Sequence, residues 1–163
     1  DLHSFPTRRS SDLSLGVICM KMNGGFLITK IKQLGDRIFE KVLSENNVDA
    51  FNGAQGRILF VLWQGDGIPI KALSDRCGLA ITSLTTMLDR MEKQGLITRT
   101  QDNSDKRKTL LILTDKARSL KTAYDAVSDK MGEIYYKGFS EEEIRSFESY
   151  LDRILMNLEG WEE

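Results

Sequence analysis

The sequence predicts a mainly α-helical chain carrying one small β-hairpin, and three observations predict it. Beyond residue 25, apolar residues recur at helical spacing through most of the chain. Two short runs rich in β-branched and aliphatic residues, Leu96–Thr100 and Thr109–Leu113, flank a polar turn. The boundaries are punctuated as helix ends should be, by the pairs Asn52/Gln55 and Ser140/Glu143 at starts and by Gly78 and Gly95 at stops.

Composition sets the limits. The 163 residues are long enough to bury a real core. No run of about 18 apolar residues is present, so no membrane-spanning helix is expected. The two cysteines, Cys19 and Cys77, are too few for a disulfide framework, and the expected compartment is the reducing cytoplasm. His3 is the single histidine, which leaves no histidine base for a nucleophile and no His/Cys cluster for zinc. No catalytic residue, metal or cofactor is therefore expected. The run Glu141-Glu142-Glu143 is accounted for by its place at a helix N-terminus.

The first stretch stands apart. Residues 1–13 show neither helical nor strand period, and Phe5–Leu13 resembles the translation of a sequencing-adapter oligonucleotide. Residues 1–20 are expected to be a disordered or artefactual tail, with native translation starting near Met20 or Met22. The apolar run up to Met20 is too short for a signal-peptide core.

From Gly25, Leu27, Ile31, Leu34, Ile38 and Val42 form an amphipathic stripe, ended by Asn46-Asn47. Asn52 opens a second helix that runs to about Gln64. Its residues Ile58 to Trp63 are apolar nearly all round, which predicts a central, buried helix. Gly65-Asp66-Gly67 breaks it. Pro69 is suited to the first turn of a short helix reaching Cys77, Gly78 to the tight turn after it, and Ala80 to Gln94 to a longer helix with Leu84, Met87, Leu88 and Met91 inward. Helix, glycine turn, longer helix and hairpin in that order make a winged helix-turn-helix.

Charge is distributed unevenly behind a net of −1. Arg99 to Lys108 holds four bases (Arg99, Lys106, Arg107, Lys108) and two acids (Asp102, Asp105), a balance of +2. Phe139 to Glu163 holds two bases and eight acids, a balance of −6. A basic hairpin suits phosphate, and the acidic C-terminus suits a position away from it.

Three stretches carry a family resemblance: Leu88-Asp89-Arg90-Met91-Glu92-Lys93-Gln94-Gly95-Leu96-Ile97-Thr98-Arg99, then Asp105-Lys106-Arg107-Lys108, then Leu113-Thr114-Asp115-Lys116. On these, residues 25–160 resemble a MarR-family transcriptional regulator. The resemblance implies a recognition helix in the major groove and a wing arginine in the neighbouring minor groove of double-stranded promoter DNA. By position, Thr82, Ser83, Thr85 and Thr86 become the groove-reading candidates, Arg107 the wing arginine, and Arg90 a support for the recognition helix and its phosphate contacts. Arg99, Lys106 and Lys108 join them as basic contacts. Many relatives carry arginine where this chain has Thr86, so guanine readout falls to Arg90, Lys93 or Lys71 or is weaker. Thr82 and Ser83 have an alternative role as helix N-terminal caps. Asp105 is expected to shape the wing by pairing with a nearby base.

The C-terminal half supplies the means of pairing two copies. Thr114 is expected to cap one long helix to about Lys137. Ser140 then opens a helix whose Ile144, Phe147, Leu151, Ile154, Leu158 and Trp161 follow a 3-4-3-4-3 spacing, a seam for another helix. The seam can serve a second copy or pack within the chain against the first helix; the resemblance implies a homodimer on a palindromic operator. The expected organisation is a tail (1–20), a dimerisation helix (21–47), a winged helix-turn-helix domain (48–114) and C-terminal dimerisation helices (115–163).

The resemblance also implies a small-molecule effector pocket, for which Phe39, Trp63 and Tyr124 are candidates, each with plain core packing as the alternative. The function expected is a ligand-responsive, DNA-binding transcriptional regulator, most simply a repressor. Two other readings stay open: a winged helix used for protein contact, and a thiol-based redox sensor using Cys19 or Cys77.

Overall fold

A computed structural model describes residues 22–162. The expectations for residues 1–20, Cys19 included, lie outside the described residues. The chain divides into two units, with the boundary between Arg37 and Ile38. Helix α1 (Gly24–Glu45) contributes its first turns to the former and its last turns to the latter. In the first unit the helix carries a Lys32–Asp36 ion pair one turn apart, and Phe26, Leu27, Ile28, Ile31 and Leu34 are exposed.

The second unit holds the core. Within it, Asn47 adopts a left-handed conformation (φ 55°) and ends α1, a position that asparagine tolerates because its short polar side chain can bond locally. Helix α2 (Gly53–Gln64) starts with the expected reciprocal cap: Asn52 Oδ1 accepts from the Gln55 amide (2.9 Å), and the Asn52 amide donates to Gln55 Oε1 (3.1 Å). Ile58, Leu59, Val61 and Leu62 are buried, as an all-round apolar helix requires. Phe60 departs from that expectation: it is 46% exposed, one ring-width from Tyr124 (6.0 Å between centroids).

The sheet is larger than a hairpin. Strand β1 (Ile68–Pro69) pairs antiparallel with β3 (Thr109–Leu113), which pairs antiparallel with β2 (Ile97–Gln101), giving the order β1-β3-β2. Pro69 therefore lies in an edge strand rather than in the first helical turn, a place where its missing N–H costs no ladder bond. Asp66 fastens this corner, accepting from the Leu113 amide (2.7 Å) and from Arg118.

Helix α3 (Ile70–Cys77) ends at Gly78, whose φ of 62° glycine adopts without strain, and α4 (Ile81–Lys93) follows. Leu73, Leu84, Leu88, Met91, Leu96, Ile97 and Leu111 are fully or nearly fully buried and form the centre of the core. Gly95 (φ 70°) turns the chain from α4 into β2, with the Leu96 amide donating to the Met91 carbonyl (2.9 Å).

The single long helix expected after Thr114 is two helices, α5 (Asp115–Ser119) and α6 (Lys121–Tyr135), meeting at Leu120. The cause is tertiary. The Ala117 carbonyl, which a continuous helix would offer to residue 121, instead accepts the Trp63 indole N–H (3.0 Å) and the Leu120 amide (3.2 Å). Helix α7 (Glu141–Glu162) opens with the second reciprocal cap. The Ser140 amide donates to Glu143 Oε2 (2.8 Å) and Ser140 Oγ accepts from the Glu143 amide (3.2 Å), holding the Glu143 carboxyl below its usual range. Ile144 is half-buried; every residue from Arg145 to Trp161 is exposed, including Phe147, Leu151, Ile154 and Leu158.

Candidate nucleic-acid interface

Helix α4 is oriented by what it buries. Leu84, Leu88 and Met91, at spacings of four and three, face the core, which turns the opposite side of the helix to solvent. Thr82, Ser83, Thr85, Thr86, Arg90 and Lys93 are all exposed on it, as is Lys71 on α3. The N-cap of α4 is Ala80, with no side-chain cap bond, so Thr82 and Ser83 are not spent as caps. The Thr85 hydroxyl donates to the Ile81 carbonyl one turn back (2.8 Å), leaving its oxygen free to accept. The face thus presents small hydroxyl groups flanked by cations, suited to base edges and phosphate oxygens.

The wing is shaped by its two aspartates. Asp102 Oδ1 accepts from the Ser104 amide (2.7 Å) and hydroxyl (2.6 Å), which lowers the pKa of its carboxyl. Asp105 Oδ1 accepts from the Arg107 amide (3.1 Å) and Arg107 Nε (3.2 Å), while the Asp105 carbonyl accepts from the Lys108 amide (2.8 Å). Asp105 thus pairs with Arg107 within the wing. Lys106, Arg107 and Lys108 are exposed, with the Arg107 side chain at 92%.

Arg99 is different, and here the sequence expectation needs correcting. Its guanidinium, borne by β2, is held by two carboxylates of α4: Nη2 by Asp89 (2.7 Å) and Nη1 by Glu92 (2.6 Å). The Asp89 hydrogen bond is the main reason that its pKa is raised further. Arg99 is therefore a clamp between recognition helix and wing strand rather than a free phosphate contact. In the same place it offsets two negative charges on the outer side of α4. Arg99→Ala is expected to reduce stability by about 0.5–1 kcal/mol, as two partly exposed pairs allow. A double-mutant cycle with Asp89→Ala should return a coupling of similar size, about 0.5–1 kcal/mol in chemical denaturation. Additive effects of the two substitutions would show that the pair carries no load.

Two further residues fix α4 that the sequence reading passed over. Lys116 Nζ donates to the Gln94 carbonyl (2.9 Å), a cation at the negative end of the helix. Gln55 Nε2 donates to Gln94 Oε1 (2.7 Å), tying the start of α2 to the end of α4. Lys116 lies in the helix-start stretch after Thr114 and Gln55 in the Asn52 cap; neither carries a local signal for its second role.

The aromatic candidates for an effector pocket pack on one another. Tyr124 has Trp63 at 4.9 Å, Phe39 at 6.1 Å and Phe51 at 6.1 Å between ring centroids. Burial raises the Tyr124 hydroxyl pKa. None of the three candidates lines the cleft of about 540 Å3 at the α1–α2 turn. Cys77 is half-buried, and burial pushes its thiol pKa up, away from the thiolate that oxidation needs. Among the described residues no group of three or more His, Cys, Asp or Glu side chains is placed to hold a metal.

Residues 51–109, which hold α2 through the start of β3, match the model of the MarR family. Over these residues the chain is similar to the MarR-family winged helix. Over 75 residues it is 36% identical to the HTH-type transcriptional regulator TtmR of Methylorubrum extorquens. Over 63 residues it is 40% identical to the organic hydroperoxide resistance transcriptional regulator of Bacillus subtilis. These alignments cover 46% and 39% of this chain, and 38% and 43% of the relatives' own lengths. The chain therefore spans about two-fifths of the curated relatives it matches. Among solved structures, a cysteine mutant of MarR from E. coli, complexed with operator DNA, superposes with a TM-score of 0.73 at 26% identity. That match covers 80% of this chain and 92% of the other. A MarR transcriptional regulator from Methanosarcina mazei shares the fold at 22% identity, with a TM-score of 0.72 and coverage of 82% of this chain and 94% of that one. The MarR-family mainly α fold with a small antiparallel sheet is thus the fold of this chain. None of its described helices is long and apolar enough to cross a membrane.

Proposed function

We propose that the protein is a sequence-specific, double-stranded-DNA-binding transcriptional regulator of the cytoplasm, with no enzymatic role. It acts as a homodimer on a palindromic operator, usually as a repressor released by a small molecule. The observation that carries this reading is the pairing of two exposed features on one head. One is the hydroxyl-and-cation face of α4 around Thr82, Ser83, Thr86 and Arg90; the other is the cation cluster at Lys106–Lys108 on the wing. Their spacing is held by the Arg99 clamp. The solved E. coli MarR complex with operator DNA supports it by likeness. Selection of bound duplexes from a random pool tests it directly, and should return a two-fold symmetric site with half-sites about one helical turn apart. Affinity should also fall steeply with salt, because phosphate contacts release counterions. A pool that yields no enrichment, together with no duplex affinity at low salt, would sink the DNA reading in favour of a protein-contact module.

A further inference from the structure

At the turn between α1 and α2 lies an open cleft of about 540 Å3, within the roughly 300–1,000 Å3 typical of small-molecule sites. Its lining is unlike the apolar interior. Two carboxylates, Glu40 and Asp49, and the amides of Asn47, Asn52, Gln55 and Gln94 face it, beside a wall that includes Val48 and Phe51; no lysine or arginine lines it. Glu40 has a fixed place there. Its Oε1 accepts the Gly53 amide at the start of α2 (2.7 Å), and a Cβ on residue 53 would lie only 3.1 Å from that oxygen. Asp49 makes no ion pair with another described residue.

Gln55 gives the cleft its reach. It is 6% exposed and is the one buried polar side chain among the described residues. Its Oε1 accepts from the Asn52 amide and its Nε2 donates to Gln94 Oε1, and Gln94 is the residue that ends α4. Gln94 is exposed while Gln55 is buried, so the loss of the Gln94 acceptor leaves a buried donor to be satisfied and loosens the link.

We propose that this cleft binds a small organic cation bearing amine or guanidinium N–H donors, and that its occupancy reaches the recognition helix through the Gln55–Gln94 amide pair. The two carboxylates select a cation and repel an anion. The amide oxygens supply further acceptors, Gln94 Oε1 among them. A donor that takes Gln94 Oε1 competes with Gln55 Nε2 and frees the end of α4. Binding therefore differs in strength between the coupled and uncoupled states, which is what a ligand needs in order to shift them. The relay to DNA rests on the regulator reading above; the binding site does not.

Agmatine, which carries both an amine and a guanidinium, is the probe. Isothermal titration of the full chain without DNA, at constant ionic strength, should show saturable binding of one agmatine per chain with a Kd below about 1 mM. Asp49→Asn and Glu40→Gln should each weaken it about tenfold. Glu40→Gln keeps an oxygen for the Gly53 amide, and Asp49 is exposed, so both variants should keep the parent melting temperature. No saturable heat, or an affinity in both carboxylate variants equal to that of the parent, overturns the site. In the second arm, agmatine should shift duplex affinity at least about fivefold more in the parent than in Gln94→Ala. Equal shifts overturn the amide relay. Saturable agmatine binding by a chain that binds no duplex would uphold the site and overturn the regulator reading alone.

Discussion

Leu151→Glu combined with Ile154→Glu is expected to convert the proposed homodimer to a monomer and to weaken the proposed operator binding by about 100-fold or more. The two side chains sit mid-way along the exposed apolar stripe of α7, on a helix whose residues from Arg145 onward make no claim on the core. A single chain that leaves Phe147, Leu151, Ile154, Leu158 and Trp161 in water presents an apolar patch of the kind that marks an interaction surface. A carboxylate at either position keeps part of its hydration in the single chain, but must be stripped of water without a partner when two copies meet. Two recognition helices joined in a dimer bind as one unit, and separating them removes the gain of the second, intramolecular contact. Sedimentation equilibrium and a duplex titration on the same sample read both effects, while circular dichroism should show unchanged helix content. Ser149→Glu, also exposed on α7, serves as the control and should leave mass and affinity alone. A doubly substituted chain that kept the mass and affinity of the parent would remove this face from the assembly.

What the sequence made legible was local, and what it hid was tertiary. Reciprocal caps at Asn52/Gln55 and Ser140/Glu143 lie within three residues of their partners, so spacing alone announces them. Gly78 and Gly95 take positive φ where the helical pattern stops, as their positions implied. Strand β1 is two residues long and has no period to read; only its partner in β3 makes it a strand. The break at Leu120 depends on an indole donated from Trp63, 54 residues earlier. Counting charge along the hairpin made Arg99 a phosphate contact, because Glu92 and Asp89 stand seven and ten residues away on another element. The candidate site was legible to the same degree: the residue types on α4 and the wing were visible, but which cations were already engaged was not.

That distinction sets the second large effect, at Arg107. With Arg99 engaged by α4, the exposed cations of the wing are Lys106, Arg107 and Lys108, and Arg107 reaches furthest into solvent. Its backbone amide is held by Asp105, so the turn stays formed while the guanidinium, on a weaker 3.2 Å contact, can leave for a narrow minor groove. Arg107→Ala is expected to cost about 1–3 kcal/mol of operator affinity, most at sites with A·T-rich flanks. It should also lower the slope of log affinity against log salt by about one unit. Arg107→Lys separates the two contributions. It keeps the charge and hence the salt slope, but a compact ammonium cannot reproduce the planar fork, so the preference for A·T flanks should fall. Fluorescence anisotropy with duplexes differing only in their flanks, at three salt concentrations, reads both quantities. Unchanged affinity in Arg107→Ala would move the groove contact off the wing and leave the α4 face, with Arg90 and Lys93, to carry recognition alone.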